Sequence, residues 1–112
     1  FRSQMSLATE FLQDLKEGFA NKDSSSVGGF VTDDFELISP VTSRPRQGFL
    51  DWVAEGGNPT TLFDVEVIYE NDDVAVVYHG LKHENTDVRK VMCCGRKRDG
   101  KFYDWRVARW GQ

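Results

Sequence analysis

The second half of the chain alternates apolar and polar residues between tight turns, and this pattern constrains the fold more than any other. Thr61 to Tyr69 sets Phe63, Val65, Val67 and Tyr69 against Asp64 and Glu66. Asn71-Asp72-Asp73 then supplies a turn, and Val74 to Lys82 reads as a second strand ending near Glu84-Asn85. Asp87 to Lys97 is a third and Phe102 to Trp110 a fourth. Between the last two, Arg98-Asp99-Gly100-Lys101 is the clearest hairpin signal, because Asp-Gly tolerates the positive φ values of a two-residue turn. Consecutive strands joined by such short connections pair antiparallel, and a sheet of this kind needs an apolar cover on one face.

The first half supplies the cover. Leu7, Phe11, Leu15 and Phe19 recur at spacing four, with Ala8 and Leu12 widening the stripe, so residues 6–21 read as an amphipathic helix. Ser6 is placed to cap it, and Glu10 sits in the first turn, where the helix dipole favours an anion. Asn21-Lys22-Asp23 ends it. Asp23 or Ser24 would cap a short second helix broken by Gly28-Gly29. Asp33 to Ser39 alternates as a short strand, and Pro40, Pro45 and Gly48 bracket a loop. Phe49 to Glu55 reads as another short helix, stopped by Gly56-Gly57-Asn58-Pro59. Helices first and an antiparallel sheet after give an α+β domain. One long helix against a strongly curved sheet makes a cone whose open end is a pocket. One domain accounts for residues 1–112, and Phe1-Arg2-Ser3-Gln4 ahead of Met5 reads as additional to the natural start.

Composition narrows the function classes. Charged residues are 29% of the chain and apolar residues 39%, an ordinary globular balance that excludes disorder throughout. The longest uncharged apolar run, Val74 to Tyr78, is strand length, far short of the ~18 residues of a membrane span. Glu10, Asp14 and Glu17 break the first apolar stretch, so no signal peptide is expected. The two cysteines, Cys93 and Cys94, are neighbours whose side chains diverge on a strand; no disulfide or thiolate metal cage is expected, and a reducing, cytoplasmic setting fits. Residues 1–88 carry six basic and sixteen acidic side chains, whereas residues 89–112 carry eight basic and two acidic. A basic hairpin beside acidic strands neutralises them across the sheet. The overall charge of -4 argues against nucleic acid as a partner.

The ordered set of these marks resembles the nuclear-transport-factor-2-like superfamily, especially its SnoaL-like and ketosteroid-isomerase-like branch. The resemblance rests on Phe19-Ala20-Asn21-Lys22-Asp23 at the helix end and Phe30-Val31-Thr32-Asp33-Asp34-Phe35 after it. Ser39-Pro40 with Gly48 opening a helix, and Arg98 to Phe102 before a strand carrying Trp105, complete it over nearly all of residues 6–110. It implies a pocket lined by Leu15 and Phe19 from the helix, and by Val74, Val76 and Tyr78 from the second long strand. The third would contribute Lys90, Met92 and Cys94, and the last Tyr103, Trp105, Val107 and Arg109. It implies a homodimer through the opposite face, comprising Ala75, Val77, His79, Arg89, Val91, Cys93, Asp104, Arg106 and Trp110. This face is too apolar to be left to solvent.

The fold hosts isomerases, cyclases, hydrolases and non-enzymatic binders, so activity rests on particular positions. Ketosteroid isomerases use a carboxylate base and an oxyanion hole made of a tyrosine and a protonated aspartic acid. The matching positions here are Ser39, Leu15, and Met92 or Cys94. None can play those parts. SnoaL-type cyclases use a pocket aspartate near the end of the last strand, but Trp105, Val107 and Arg109 stand there and Asp104 points away. The epoxide-hydrolase pattern of two acids bridged by an arginine lacks its acids. Asp33 and Asp34 read as turn and capping residues. Catalytic residues are therefore left unassigned.

A guanidinium facing an apolar cone needs a carboxylate, phosphate or carbonyl partner, which makes Arg109 a candidate ligand anchor or one half of an internal salt bridge. Trp52 joins Phe19, Tyr78, Tyr103 and Trp105 as aromatic lining, with Tyr78 and Trp105 keeping polar tips. Cys94 lacks a partner base and reads as structural. His79 is expected to face outward, with His83 near a turn, and their separation along a strand is too large for one metal. Neither metal nor cofactor is expected. The leading reading is a domain binding a small hydrophobic molecule that carries a carboxylate or carbonyl. An acid/base enzyme using Tyr78, Arg109 or Ser39, and a dimeric interaction module with a filled cone, remain as alternatives.

Overall fold

The structure, a computed structural model, describes residues 6–40, 42–57, 60–83 and 88–110, and within these not the side chains of residues 60, 61, 83, 109 and 110. Helix α1 spans Leu7–Asn21 and is followed by a single 3-10 turn at Val27–Phe30. Strands β1 (Val31–Ile38) and β2 (Ser43–Pro45) form a hairpin that runs into helix α2 (Arg46–Ala54). Strands β3 (Thr60–Glu70), β4 (Val74–His83), β5 (Arg89–Arg98) and β6 (Lys101–Trp110) follow. The sheet order is β2-β1-β6-β5-β4-β3. The last four strands form the expected antiparallel meander. The sheet as a whole is mixed, because β1 runs parallel to β6. This pairing follows from the topology. The whole meander separates β1 from β6, so the short-turn argument for antiparallel neighbours does not reach that pair.

Local chemistry sets the element ends. The Ser6 hydroxyl accepts from the Thr9 backbone N–H at 3.2 Å, capping α1, and Lys22 closes the helix in the left-handed region at φ 54°. The β5–β6 hairpin turns through Asp99 and Gly100 at φ 56° and 80°, the paired positive values of a type I′ turn. The N-terminus of α1 is also tied to the sheet. Glu70 Oε2 accepts from the Ala8 N–H at 3.1 Å and from Lys97 Nζ at 2.7 Å, and the side chains of this ion pair are 11% and 8% exposed. Its bonds to Lys97, Ser6 and Ala8 outweigh burial and hold the Glu70 carboxyl below its ordinary range.

The core lies between α1, α2 and the concave face of the sheet. The Phe11 ring sits at its centre, 5.2 Å from Phe102, 4.9 Å from Trp105, 5.9 Å from Phe30 and 6.3 Å from Phe49. Phe35 packs on Phe49 at 5.0 Å. Trp105 lies over Gly95, where a Cβ would stand 2.4 Å from the indole Cε3. The absent side chain therefore lets the ring settle onto β5.

The faces of β4 and β5 are the reverse of those expected. Ala75, Val77 and His79 of β4, and Val91, Cys93 and Gly95 of β5, are buried against the helices. Val74, Val76, Tyr78, Lys90, Met92 and Cys94 form the convex side. Both faces of these strands are largely apolar, and a one-residue slip in the assigned pleat exchanges them completely. In β6, Arg96 pairs with Asp104 and Lys97 with Phe102, so Tyr103 is the extra residue of a bulge. Phe102 and Trp105 thereby both face inward, and Tyr103 is held between the Arg96 and Arg98 guanidiniums at 5.1 and 4.9 Å. Asp104 lies on the expected side, 3% exposed and bonded by Arg96 at 2.8 Å. Strand β3 loses its expected alternation at two register shifts, and Val65, Ile68 and Tyr69 are exposed.

Candidate functional site

Past the Phe11 cluster the cone is hollow. A cavity of about 300 Å³ lies between α1, α2 and the sheet. Phe11, Leu12, Leu15 and Phe19 present one apolar stripe of α1 to it, and Phe49 and Trp52 come from α2. Leu62, His79, Leu81, Val91 and Cys93 line it from β3, β4 and β5, and Trp105 and Val107 from β6. Leu37, Ser39, Thr42 and Arg44 complete the wall from β1, the β1–β2 turn and β2. The volume is at the lower end of that typical for small-molecule sites, and the lining has their usual mostly apolar character.

The polar groups form two separate sets. The first is a relay across β4, β5 and β6. His79 Nδ1 lies 3.0 Å from the Gly80 carbonyl oxygen, which only accepts, so Nδ1 carries the proton and donates. Nε2 of the neutral ring is then the acceptor, and it faces Cys93 Sγ at 3.7 Å. The Trp105 indole lies near the same sulfur and works against burial on its thiol. Burial holds His79 below the usual imidazole value, opposed only by the bond to Gly80. Burial also pushes the Cys93 thiol up to about 12. Both groups are neutral at pH 7, and the thiol is not an activated nucleophile.

The second set lies on the α2 side. The Arg44 guanidinium stacks on the Trp52 ring, 4.9 Å from its centroid, and the Phe19 ring meets the same indole edge-on at 5.1 Å. Trp52 Nε1 is buried and has no hydrogen-bond partner among the described residues. Among the described residues no carboxylate pairs with Arg44. Ser39 and Thr42 are occupied with each other: the Ser39 hydroxyl donates to the Thr42 carbonyl at 3.1 Å and accepts from the Thr42 N–H at 3.2 Å.

The structure brings together Leu15, Phe19, Ser39, Trp52, Trp105 and Val107 of the expected lining. Val76, Tyr78, Met92 and Cys94 lie on the convex side because of the reversed pleat, as do Val74 and Lys90, and Tyr103 leaves the lining through the β6 bulge. The Arg109 side chain lies outside the described residues, as do those of His83 and Trp110. The turn at Glu84-Asn85, the Asn58-Pro59 stop and the segment ahead of Met5 lie outside them too. His79, Cys93, Ala75, Val77 and Val91, expected on a dimer face, are in the interior. His79, Cys93 and Arg44 are the chemically notable groups that sequence reasoning missed. One signal was available for the first two. Val91, Cys93 and Gly95 carry no charge, whereas Lys90, Met92, Cys94 and Arg96 carry two, and the uncharged set is the cheaper one to bury.

Helices laid over one face of a bent sheet around a ligand-sized hollow define a class of α+β cones, and solved structures place the chain among them. A nuclear-transport-factor-2-like protein from Anabaena variabilis superposes with a TM-score of 0.76 at 11% identity, over 100% of this chain and 96% of that one. TerC, crystallised with polyporic acid, gives 0.71 at 18% identity, over 91% and 90%. A protein of ketosteroid-isomerase-like fold from Catenulispora acidiphila, in complex with trimethylamine, gives 0.60 at 11% identity, over 88% and 83%. No protein-family model matches the chain, and no curated protein matches its sequence. The chain has the nuclear-transport-factor-2-like fold. Among the described residues no helix is long and apolar enough to cross a membrane.

Proposed function

We propose that the protein binds a small, largely hydrophobic molecule in the cone. The carrying observation is the cavity of about 300 Å³ with its apolar lining. It favours this reading over an interaction module with a filled cone, since side chains that leave an apolar hollow between them forgo packing that a purely structural core would keep. Proteins of the same fold have been crystallised with small organic molecules, TerC with polyporic acid and the Catenulispora acidiphila protein in complex with trimethylamine. Titration with a fluorescent apolar probe tests it. Saturable 1:1 binding is expected, and it should be lost in Leu81→Trp, which fills the hollow from β4. Failure of the native protein to bind any apolar probe would refute the reading.

Acid/base catalysis in the same cavity is the second reading, and His79 is the observation that favours it. The Gly80 carbonyl fixes the ring tautomer and keeps Nε2 unprotonated against the Cys93 thiol in the cavity wall, the state a general base requires once a substrate displaces that contact. His79 thus replaces Tyr78, which stands on the convex side, as the group to test. Ser39 is engaged with Thr42.

The homodimer belongs to this proposal with a corrected surface. The convex ladders Val76–Cys94–Arg106 and Tyr78–Met92–Ala108 carry an apolar strip beside exposed Tyr69, and a second copy of the strip would cover it. Sedimentation at micromolar concentration should give a dimer that Met92→Glu converts to monomer, whereas a monomeric native protein would refute this interface. With Cys93 and Cys94 both free, we place the protein in the cytoplasm.

A further inference from the structure

We infer that Arg44 and Trp52 form the anchor for an acidic head group, so that the cavity selects apolar carboxylates over neutral or cationic molecules of the same body. The inference rests on the ligand-binding reading above and assigns its polar end. It follows from accounting for donors and acceptors around the cavity. On the sheet side the polar atoms are spent in series: Cys93 Sγ, with the Trp105 indole near it, meets His79 Nε2, and His79 Nδ1 donates to the Gly80 carbonyl. At the β1–β2 turn, the Thr42 backbone satisfies the Ser39 hydroxyl, and the Thr42 side chain is exposed to water. Among the described residues, what remains unspent away from open water is the buried Trp52 Nε1–H and the Arg44 guanidinium stacked on that indole. Both are donors only, and they belong to adjoining side chains.

A buried indole N–H without an acceptor is costly, and the half-buried Arg44 guanidinium beside it has no counter-charge among the described residues. A carboxylate answers both at once: one oxygen accepts from Nε1–H and the carboxylate pairs with the guanidinium. A carbonyl answers the indole but leaves the cation unneutralised. An ammonium group finds no carboxylate among the lining residues and is repelled by Arg44. The apolar body would then lie along Phe19, Leu15 and Val107 toward the sheet. The anchoring role considered for Arg109, whose side chain lies outside the described residues, is here assigned to a guanidinium on β2, which the stacking on Trp52 holds in place.

Three probes sharing one naphthalene body test this by calorimetry on the native protein: 2-naphthoate, its methyl ester and 2-naphthylmethylammonium. The carboxylate should bind roughly tenfold or more tightly than the ester, and the ammonium most weakly. Arg44→Gln should erase the carboxylate's advantage over the ester while leaving ester affinity nearly unchanged. Trp52→Phe, which keeps the ring and removes the N–H, should weaken carboxylate and ester alike. Equal binding of all three probes, or an advantage that persists in Arg44→Gln, would overturn the anchor and leave the apolar cavity standing. Binding by none of them would overturn the ligand-binding reading and the anchor with it.

Discussion

The two halves of the cone interior are built from the same elements and behave as opposites. Toward the β5–β6 hairpin, Phe11, Phe49, Phe102 and Trp105 close ring against ring with centroid distances of 4.9 to 6.3 Å. One and two turns further along α1, Leu15 and Phe19 face the hollow, which Phe11, Phe49 and Trp105 border only from the closed end. The helix offers a similar apolar stripe to both halves, so helix chemistry does not separate them. The sheet does. Opposite Phe11, β6 supplies two large rings, brought to one face by the Tyr103 bulge. Opposite Leu15 and Phe19, the wall includes Val91, Cys93 and Val107, which are too small to fill the span. A cone of this size therefore obtains stability at one end and leaves room at the other, and the difference lies in side-chain volume on β5 and β6.

The sharpest way to break the contrast is to hollow the filled end. Phe11→Ala should cost about 3–5 kcal/mol in denaturant unfolding, because four rings lose their common neighbour and none can collapse into the gap. Leu15→Ala, which enlarges a void already present, should cost about 2 kcal/mol, the low end of its class. Equal losses at the two positions would show that the halves are packed alike. Overfilling the closed end comes next in size. Gly95→Ala puts a methyl group 2.4 Å from a buried indole carbon and should cost about 1–3 kcal/mol, with a shift in the Trp105 fluorescence marking the displaced ring.

The same contrast explains what the sequence revealed. The α1 stripe, the Ser6 cap and the Asp99-Gly100 turn depend on neighbours within four residues, so they could be read directly. The face of β4 could not: in Val74-Ala75-Val76-Val77-Tyr78 every residue is buriable, and alternation yields two complementary sets without choosing between them. The Tyr103 bulge and the two irregularities in β3 are set by partner strands, and a single-strand pattern is silent about them. The cavity residues that lie on α1 and α2 were legible because helical periodicity fixes their face. His79 and Cys93 were not, because their placement depends on the pleat that alternation left open. The Arg44–Trp52 stack joins residues eight apart across the end of β2 and the length of α2, a proximity that no periodicity encodes.

Acid should separate the halves by pH window. Below about pH 6.5 the unfolded chain takes up a proton at residue 79 that the folded protein, with its lowered His79 value, still refuses. Stability should therefore fall as pH drops from 6.5 until the folded imidazole itself protonates. Glu70, beside the closed end, acts lower. Its folded carboxyl stays ionised below the ordinary 4.5, so its contribution is complete above that pH and is lost as pH falls through the folded value. Unfolding free energies between pH 7 and 3 should show both segments, with His79→Gln removing the upper one alone and Glu70→Gln the lower. A pH profile unchanged by His79→Gln would mean that the cavity wall is wet enough to hold a charged imidazole.

The smallest effect on stability is the most informative about the hollow half. Val107→Phe adds a ring where β6 fronts the cavity, opposite the stripe that carries Leu15 and Phe19. At the closed end such an enlargement would be overpacking. Here the extra volume has somewhere to go, and the new contacts with the apolar lining offset the lost rotamer freedom. The expected change in unfolding free energy is within about 1 kcal/mol of zero. Binding of an apolar probe should nevertheless disappear, since a phenyl group occupies a substantial part of the 300 Å³ hollow. Stability and binding then move independently, the behaviour of a space kept open for an occupant. A loss of several kcal/mol in Val107→Phe would instead mean that the walls close on each other in solution, leaving both ends of the cone packed alike.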